Sequence, residues 1–275
     1  MNVSRYRQEY PLETCMFSTH QLHTEEALRI AVQTVTGHLA DRGISLQGMI
    51  REHKTGLVVI HSEVTWERRF HFFTDTGMMS ESQMRLRDDG KVLQFLTRIS
   101  AGGEHRVTAN FAVRPIRLSG GDALDAAPAQ IEGVVRDNFT DDEIDPSLHS
   151  RVLESQVEQW SAEAEDLGEA SATFHIRRSD CEFADQWKFH RLPALISHAR
   201  ESLDLSKGKE LAYGLSKPVR RFRSEWWRPM YLRDRGRVDV RVIRYREQVH
   251  FVYRVVVVGH PGGKERPCAM AIESY

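Results

Sequence analysis

Residues 180–190 read DCEFADQWKFH and place Asp180, Cys181, Glu182, Asp185 and His190 within one short segment. These side chains supply a general base, a thiol nucleophile and several metal donors. A carboxylate at the mouth of a helix can attack a carbonyl or activate water, while the helix N-terminal amides stabilise the developing oxyanion. Glu182 is the candidate for that role, with Asp185 and His190 assisting and Asp180 acting as a turn former. Zinc is rejected, because no CxxC or HxxxH pair completes a set of three or four ligands. A second stretch, KPVRRFRSEWWRP at 217–229, interleaves Lys217, Arg220, Arg221 and Arg223 with two tryptophans. That pattern suits single-stranded nucleic acid or the phosphates of a ligand.

The elements that must position these residues occur twice. TCMFSTHQLHTEEAL around Cys15 matches DCEFADQWKFHRLPAL around Cys181, which brings His23 onto His190. Ser62-Glu63 recurs as Ser224-Glu225, QFLTRI at 94–99 as HFVYRV at 250–255, and GGEHRVTANFAV at 102–113 as GGKERPCAMAIE at 262–273. Matches in the same order indicate two copies of one domain, residues 1–118 and 170–275. The spacing of Leu28, Ala31, Val32, Val35 and Leu39 predicts a helix over 24–42, and Leu192, Leu195, Ile196, Ala199 and Leu203 predict one over 191–206. A short strand precedes each helix (Tyr6–Leu12 and Thr173–Arg178), and only strands follow. Gly43 and Gly208 read as helix stops. One helix followed by antiparallel strands is an α+β pattern, a curved sheet wrapped around a long central helix. Residues 119–169 form a connector: GGDALDAAPAQ reads as a loop, DNFTDDEIDP as an exposed acidic stretch, and PSLHSRVLESQVEQWSAEAEDLG as a helix ended by Gly168.

The bulk numbers narrow the classes. The formal net charge is −1, so no global field draws the chain to nucleic acid or an acidic membrane. No apolar run is long enough to span a bilayer, and MNVSRYRQEYPLE has no apolar signal region. Three cysteines without a disulfide framework point to a reducing, cytoplasmic setting.

The phrases Asp180-Cys181-Glu182, His198-Ala199-Arg200-Glu201 and WWRPMYLRDRGRVDVRV at 226–242 resemble the hotdog superfamily, in its 4-hydroxybenzoyl-CoA and acyl-ACP thioesterase branch. The likeness covers most of copy two and copy one more loosely. It implies a fused double hotdog, as a monomeric pseudo-dimer or a homodimer of it. The partner it implies is acyl-CoA or an acyl carrier protein, and no cofactor. Lys217, Arg220, Arg221 and Arg223 would then meet the ligand's phosphates. Anchored on Ala199-Arg200, Glu182 falls on the family's catalytic carboxylate, Gln186 where many members have histidine, and Lys188 and Phe189 where some have asparagine. In copy one the carboxylate position is Met16 and the histidine position His20. Hotdog sites lie at the pair interface, so the resemblance implies one working site, on Glu182, with Asp185, His190, His20 and His23 assisting. Asp185 and His190 are also spaced like the hydratase branch, without its Asn-Pro. Thioester hydrolysis is the leading expectation; dehydration, acyl transfer and non-catalytic acyl-thioester binding are the alternatives.

Overall fold

The computed structural model describes residues 5–70, 72–118, 126–136, 151–182, 185–259 and 263–275. It divides into two compact units, Met1–Leu148 and His149–Tyr275.

The first unit runs β1 (Arg5–Tyr10), α1 (Thr24–Asp41), α2 (Leu46–Arg51), β2 (Thr55–Trp66), β3 (Met78–Arg87), β4 (Val92–Ala101), β5 (Glu104–Leu118), β6 (Ala126–Pro128) and α3 (Gly133–Arg136). Its antiparallel sheet has the order β1-β3-β4-β5-β2, with β6 added to β5. Leu28, Ala31, Val35 and Leu39 of the predicted stripe are buried, while Val32 lies at its edge, half-buried. Gly43 (φ 73°) ends α1: its amide donates to Ala40 O and that of Ile44 to Leu39 O, the two bonds of a Schellman cap. Polar pins tie α1 to the sheet. Thr34 Oγ1 lies 2.7 Å from Ser80 Oγ and 3.1 Å from Tyr10 Oη, and His38 Nδ1 lies 2.8 Å from Ser82 Oγ. Tyr6 stacks on His38 and crosses the helix at Gly37, where a Cβ would sit 2.7 Å from its hydroxyl.

The second unit runs α4 (Val152–Ser161), β7 (Glu165–His175), α5 (Leu192–Glu201), α6 (Tyr213–Ser216), β8 (Arg221–Trp226), β9 (Arg235–Tyr245), β10 (Gln248–Val258) and β11 (Arg266–Ser274). Its order, β7-β9-β10-β11-β8, is that of the first unit strand for strand. Each unit is therefore one α+β repeat, an antiparallel sheet carrying a helix between its first and second strands. Ser62 lies opposite Phe111 and Phe111 opposite Phe95; Ser224 lies opposite Ala271 and Ala271 opposite Tyr253. The counterpart of Phe95 is thus Tyr253, two residues beyond the Phe251 expected from sequence. A slip of two keeps the same face inward, so the apolar pattern did not register it.

Several boundaries differ from expectation. α5 stops at Glu201, and Leu203 is buried beyond its end rather than on its stripe. Gly208 adopts an extended φ of 173° and caps no long helix. The connector helix stops at Ser161, and Gly168 instead lies inside β7, which begins well before Thr173. Within GGDALDAAPAQ, Ala126–Pro128 pairs as a strand; the acidic DNFTDDEIDP lies outside the described residues.

α4 packs on the face of its sheet opposite α5, where Leu153 and Trp160 meet Ile243, Val252, Met270 and Ile272. Covering both faces accounts for a β10 that is apolar almost throughout. Three polar groups hold α4 in place. Buried Glu225 accepts the Leu153 amide at 3.0 Å, capping the helix; Arg223 bonds Gln156 and lies over Trp160; His250 stacks on Trp160 at 4.4 Å. Among the described residues no helix is long and apolar enough to cross a membrane.

Burial lowers the pKa of both His38 and His250 to about 4, with Arg42 and Arg223 respectively adding repulsion. A folded pKa below the unfolded value means the neutral form is favoured by folding. The stability each contributes is complete above the unfolded pKa of about 6.5 and is lost as pH falls toward 4. Chemical denaturation at stepped pH should show stability falling across that window by ~3 kcal/mol per histidine. His38→Gln should flatten the slope; an unchanged slope would remove His38 as its source.

Candidate functional site at the mouth of helix α5

The chain leaves β7 through a 3-10 turn, Arg178–Asp180, and enters α5 through another, Phe189–Arg191. Asp180 Oδ2 accepts the Arg177 amide at 2.9 Å, which makes Asp180 the turn former expected of it. Between the turns lies a small hairpin, with Cys181 bridged to Trp187 and the Glu182 amide donating to Gln186 O at 2.8 Å. Trp187 is buried against Trp226, and its amide bonds Met230 O; Gln186 bridges Tyr231, and the Leu232 amide bonds Asp185 O. The phrases DCEFADQW and RPMYL, distant in sequence, are therefore hydrogen-bonded neighbours. Pro193 sits in the first turn of α5, and no side chain caps that helix.

Glu182 stands at the hairpin's start. Its surface is open to solvent, yet protein atoms crowd it closely enough that desolvation raises its pKa, against a lowering by Lys188. Asp185 follows in the same turn at φ 55°, with its carboxylate paired to Arg178. His190 is half-buried, its ring edge-on to Phe189. Cys181 is buried and donates to Arg177 O; burial first, then Asp185 and Asp180, push its pKa up, the wrong direction for a nucleophile. Cys15 is exposed, so only one of the two matched cysteines belongs to the core.

The corresponding turn of the first unit is Thr14–Met16, followed by a Phe17–Leu22 bridge. There the Ser18 amide donates to Gln21 O, as Glu182 does to Gln186. Ser18, not Met16, is thus the structural counterpart of Glu182, and Cys15 does not coincide with Cys181. Met16 is a buried core residue. The Ser18 hydroxyl accepts the amides of His20 and Gln21. His20 is half-buried, and His23 is exposed at the N-cap of α1 without capping it through its side chain.

Of the four basic residues, Lys217, Arg220 and Arg221 are exposed where α6 passes into β8. Arg223 departs from the expected patch: it is 8% exposed and committed to Gln156 and Trp160 of α4. Strand alternation turned it onto the sheet face that α4 covers.

A buried network escaped notice in the sequence. Arg200 near the end of α5 donates to both carboxylate oxygens of Glu273, at 2.9 and 2.8 Å, and Tyr253 and Tyr275 donate to the same carboxylate. The coulombic pull of Glu273 raises the Arg200 pKa further, and burial with the Glu273 charge raises both tyrosines well above their usual value. Its only signal was one acid in the apolar strand CAMAIES. The Arg200 side chain crosses Gly214, where a Cβ would fall 2.0 Å from its Cδ.

The fold defined by these repeats is the hotdog thioesterase-like fold, in its double form. Three solved structures share it along nearly the whole chain. A Lactobacillus plantarum protein assigned as an oleoyl thioesterase matches at TM-score 0.75 and 12% identity, covering 99% of this chain and 96% of its own. An acyl-ACP thioesterase from Bacteroides thetaiotaomicron matches at 0.69 and 14%, covering 98% and 96%. The 12:0-ACP thioesterase of Umbellularia californica matches at 0.67 and 11%, covering 98% and 96%. No protein-family model matches the sequence, and neither does any curated protein.

Removing one partner of a buried ion pair leaves the other charge uncompensated. Arg200→Met should therefore cost about 3–5 kcal/mol in denaturant unfolding. Gly214→Ala should also destabilise by displacing Arg200. A loss below about 1 kcal/mol for Arg200→Met would show that the pair does not anchor the helix.

Proposed function

We propose that the chain hydrolyses acyl thioesters carried on coenzyme A or an acyl carrier protein, in a reducing, cytoplasmic setting. The observation that carries this reading is the whole-chain likeness to three thioesterase structures, two of them described as acting on acyl-ACP. The mouth of α5 supplies the local chemistry. Glu182 acts as base or nucleophile toward the thioester carbonyl; the Leu192 amide already donates to Phe189 O and Pro193 has no N–H, so these first two positions of α5 offer the oxyanion no donor. Asp185 and His190 of the same unit are the candidate assistants, and Lys217, Arg220 and Arg221 meet the phosphates of the carrier.

A second reading, non-catalytic binding of acyl thioesters, is favoured by Gln186 and Lys188. Gln186 pairs with Tyr231 through its backbone and puts an amide where many members of the resembled family have histidine, and Lys188 Nζ is committed to Ser179 O. Under that reading acyl-CoA binds and the thioester survives.

Purified protein incubated with a panel of acyl-CoAs and acyl carriers should release free thiol. Glu182→Gln should lower the rate by ~10²–10⁴, while Cys15→Ser, at an exposed thiol, should leave it intact. Because burial raises the pKa of Glu182, the acid limb of the rate profile should lie above the ordinary value for a glutamate, with activity gained as pH rises through it. Full turnover in Glu182→Gln would remove Glu182 from the chemistry; tight binding with an intact thioester would establish the second reading.

A further inference from the structure

β7 lies at the edge of the second unit's sheet and, among the described strands, pairs only with β9. None of its 11 residues is buried. A strand edge presents a row of unpaired N–H and C=O groups, which proteins guard by shortness, charge or proline. The matching edge of the first unit is guarded in all three ways. β1 has 6 residues, its Arg5 and Arg7 both engage Glu81, and Pro11 follows directly. β7 has no such protection along Ala170-Ser171-Ala172-Thr173-Phe174.

The usable part of this edge is bounded. A bulge between Asp166 and Gly168 breaks the register at one end, and Gly168 takes a φ of 156° beside it. The regular stretch is therefore 169–175, whose middle residue is Ala172. Alternation sends Glu169, Ser171, Thr173 and His175, all exposed, to one face, and Ala170, Ala172 and Phe174, all half-buried, to the other.

Turned end for end about Ala172, the stretch is its own complement. Glu169 comes opposite the partner's His175, Ser171 opposite the partner's Thr173, and Ala170 opposite the partner's Phe174, each contact occurring twice. Carboxylate meets imidazole, hydroxyl meets hydroxyl, and the one large apolar residue meets a small one. Glu169 and His175 are available for this: Arg241, across from Glu169, is taken by Asp166, and neither residue makes an ion pair among the described residues. Phe174 is held over Gly236, where a Cβ would lie 2.6 Å from its ring. Other registers lose the match. A centre at Ser171 sets His175 against Leu167 in the bulge, a centre at Thr173 leaves Glu169 beyond the end of the strand, and a shift of one residue inverts the faces.

We propose that two copies of the chain join through β7, antiparallel about a two-fold axis at Ala172, so that the sheet of the second unit continues into its partner's. The same surface serves on both copies, so the assembly closes at a dimer. The contact is short beside an obligate interface, and the dimer forms reversibly with concentration. The inference does not depend on whether the thioester is hydrolysed.

Sedimentation equilibrium of the full chain over a concentration series should show a monomer–dimer exchange and nothing larger. Glu169→Lys and His175→Glu should each weaken the dimer about tenfold, and the two together, which exchange the facing groups, should restore it. All three variants should melt with the wild type, since both side chains are exposed. In a Cys15→Ser background, Ala172→Cys should form an interchain disulfide on mild oxidation, because position 172 meets itself across the axis, while Ala170→Cys should not. A monomer at every concentration or a dimer indifferent to the charge exchange would overturn the proposal. So would equal cross-linking at 170 and 172, or growth beyond a dimer by head-to-tail pairing.

Discussion

A five-stranded antiparallel sheet has two faces, and one helix can cover only one of them. Much of each repeat follows from how that constraint is met. In the second unit α5 takes one face and α4 the other, and the strands between become apolar on both sides. In the first unit α1 takes the inner face, and the sheet's outer side carries polar residues: Gln94 donates to Asn110 at positions where the second unit has Val252 and Met270. One topology thus supports two different sequences of strand, because the repeats differ in what lies on their outer faces.

Hydrophobic burial holds helix to sheet, but it does not fix where along the sheet the helix rests. Polar pins do that, and each repeat has its own. The first uses neutral groups, Thr34 with Ser80 and Tyr10, and His38 with Ser82. The second uses the charged pair Arg200–Glu273, satisfied further by two tyrosines. Buried polar groups cost little when every partner is present and much when one is missing, so they set position sharply. The same logic governs α4, where Glu225 and Arg223 look like spare charge in the sequence yet serve to place a helix.

The mouth of α5 depends on these anchors. Arg200 sits near the far end of the same helix, and Trp187, between Glu182 and the helix, is wedged against Trp226. The hairpin carrying Glu182 and Asp185 is stitched to the 230–232 segment by backbone bonds rather than by its own side chains. Its acidic residues are consequently divided among tasks: Asp180 closes a turn, Asp185 pairs with Arg178, and Glu182 stays open to solvent in surroundings that disfavour its charge.

The sequence by itself determined the repeat, most of both helix stripes and nearly every strand, because apolar periodicity reports local structure and the two copies check one another. Leu28, Ala31, Val35 and Leu39 are inside because a 3.6-residue period leaves them no other face. It also marked the neighbourhood of Glu182. Tertiary structure alone decided the rest. Register was one such matter: a two-residue slip preserves the inward face, so Phe95 could be matched to Phe251 or Tyr253 by pattern but to only one by hydrogen bonds. Partnership was another, since Arg223 in a basic run and Glu273 in an apolar strand acquire their roles from residues many positions away. The counterpart of Glu182 proved to be Ser18 because turn geometry, not residue type, aligns the two hairpins. Side-chain identity is written along the chain, but what a charge faces is set only when distant segments meet.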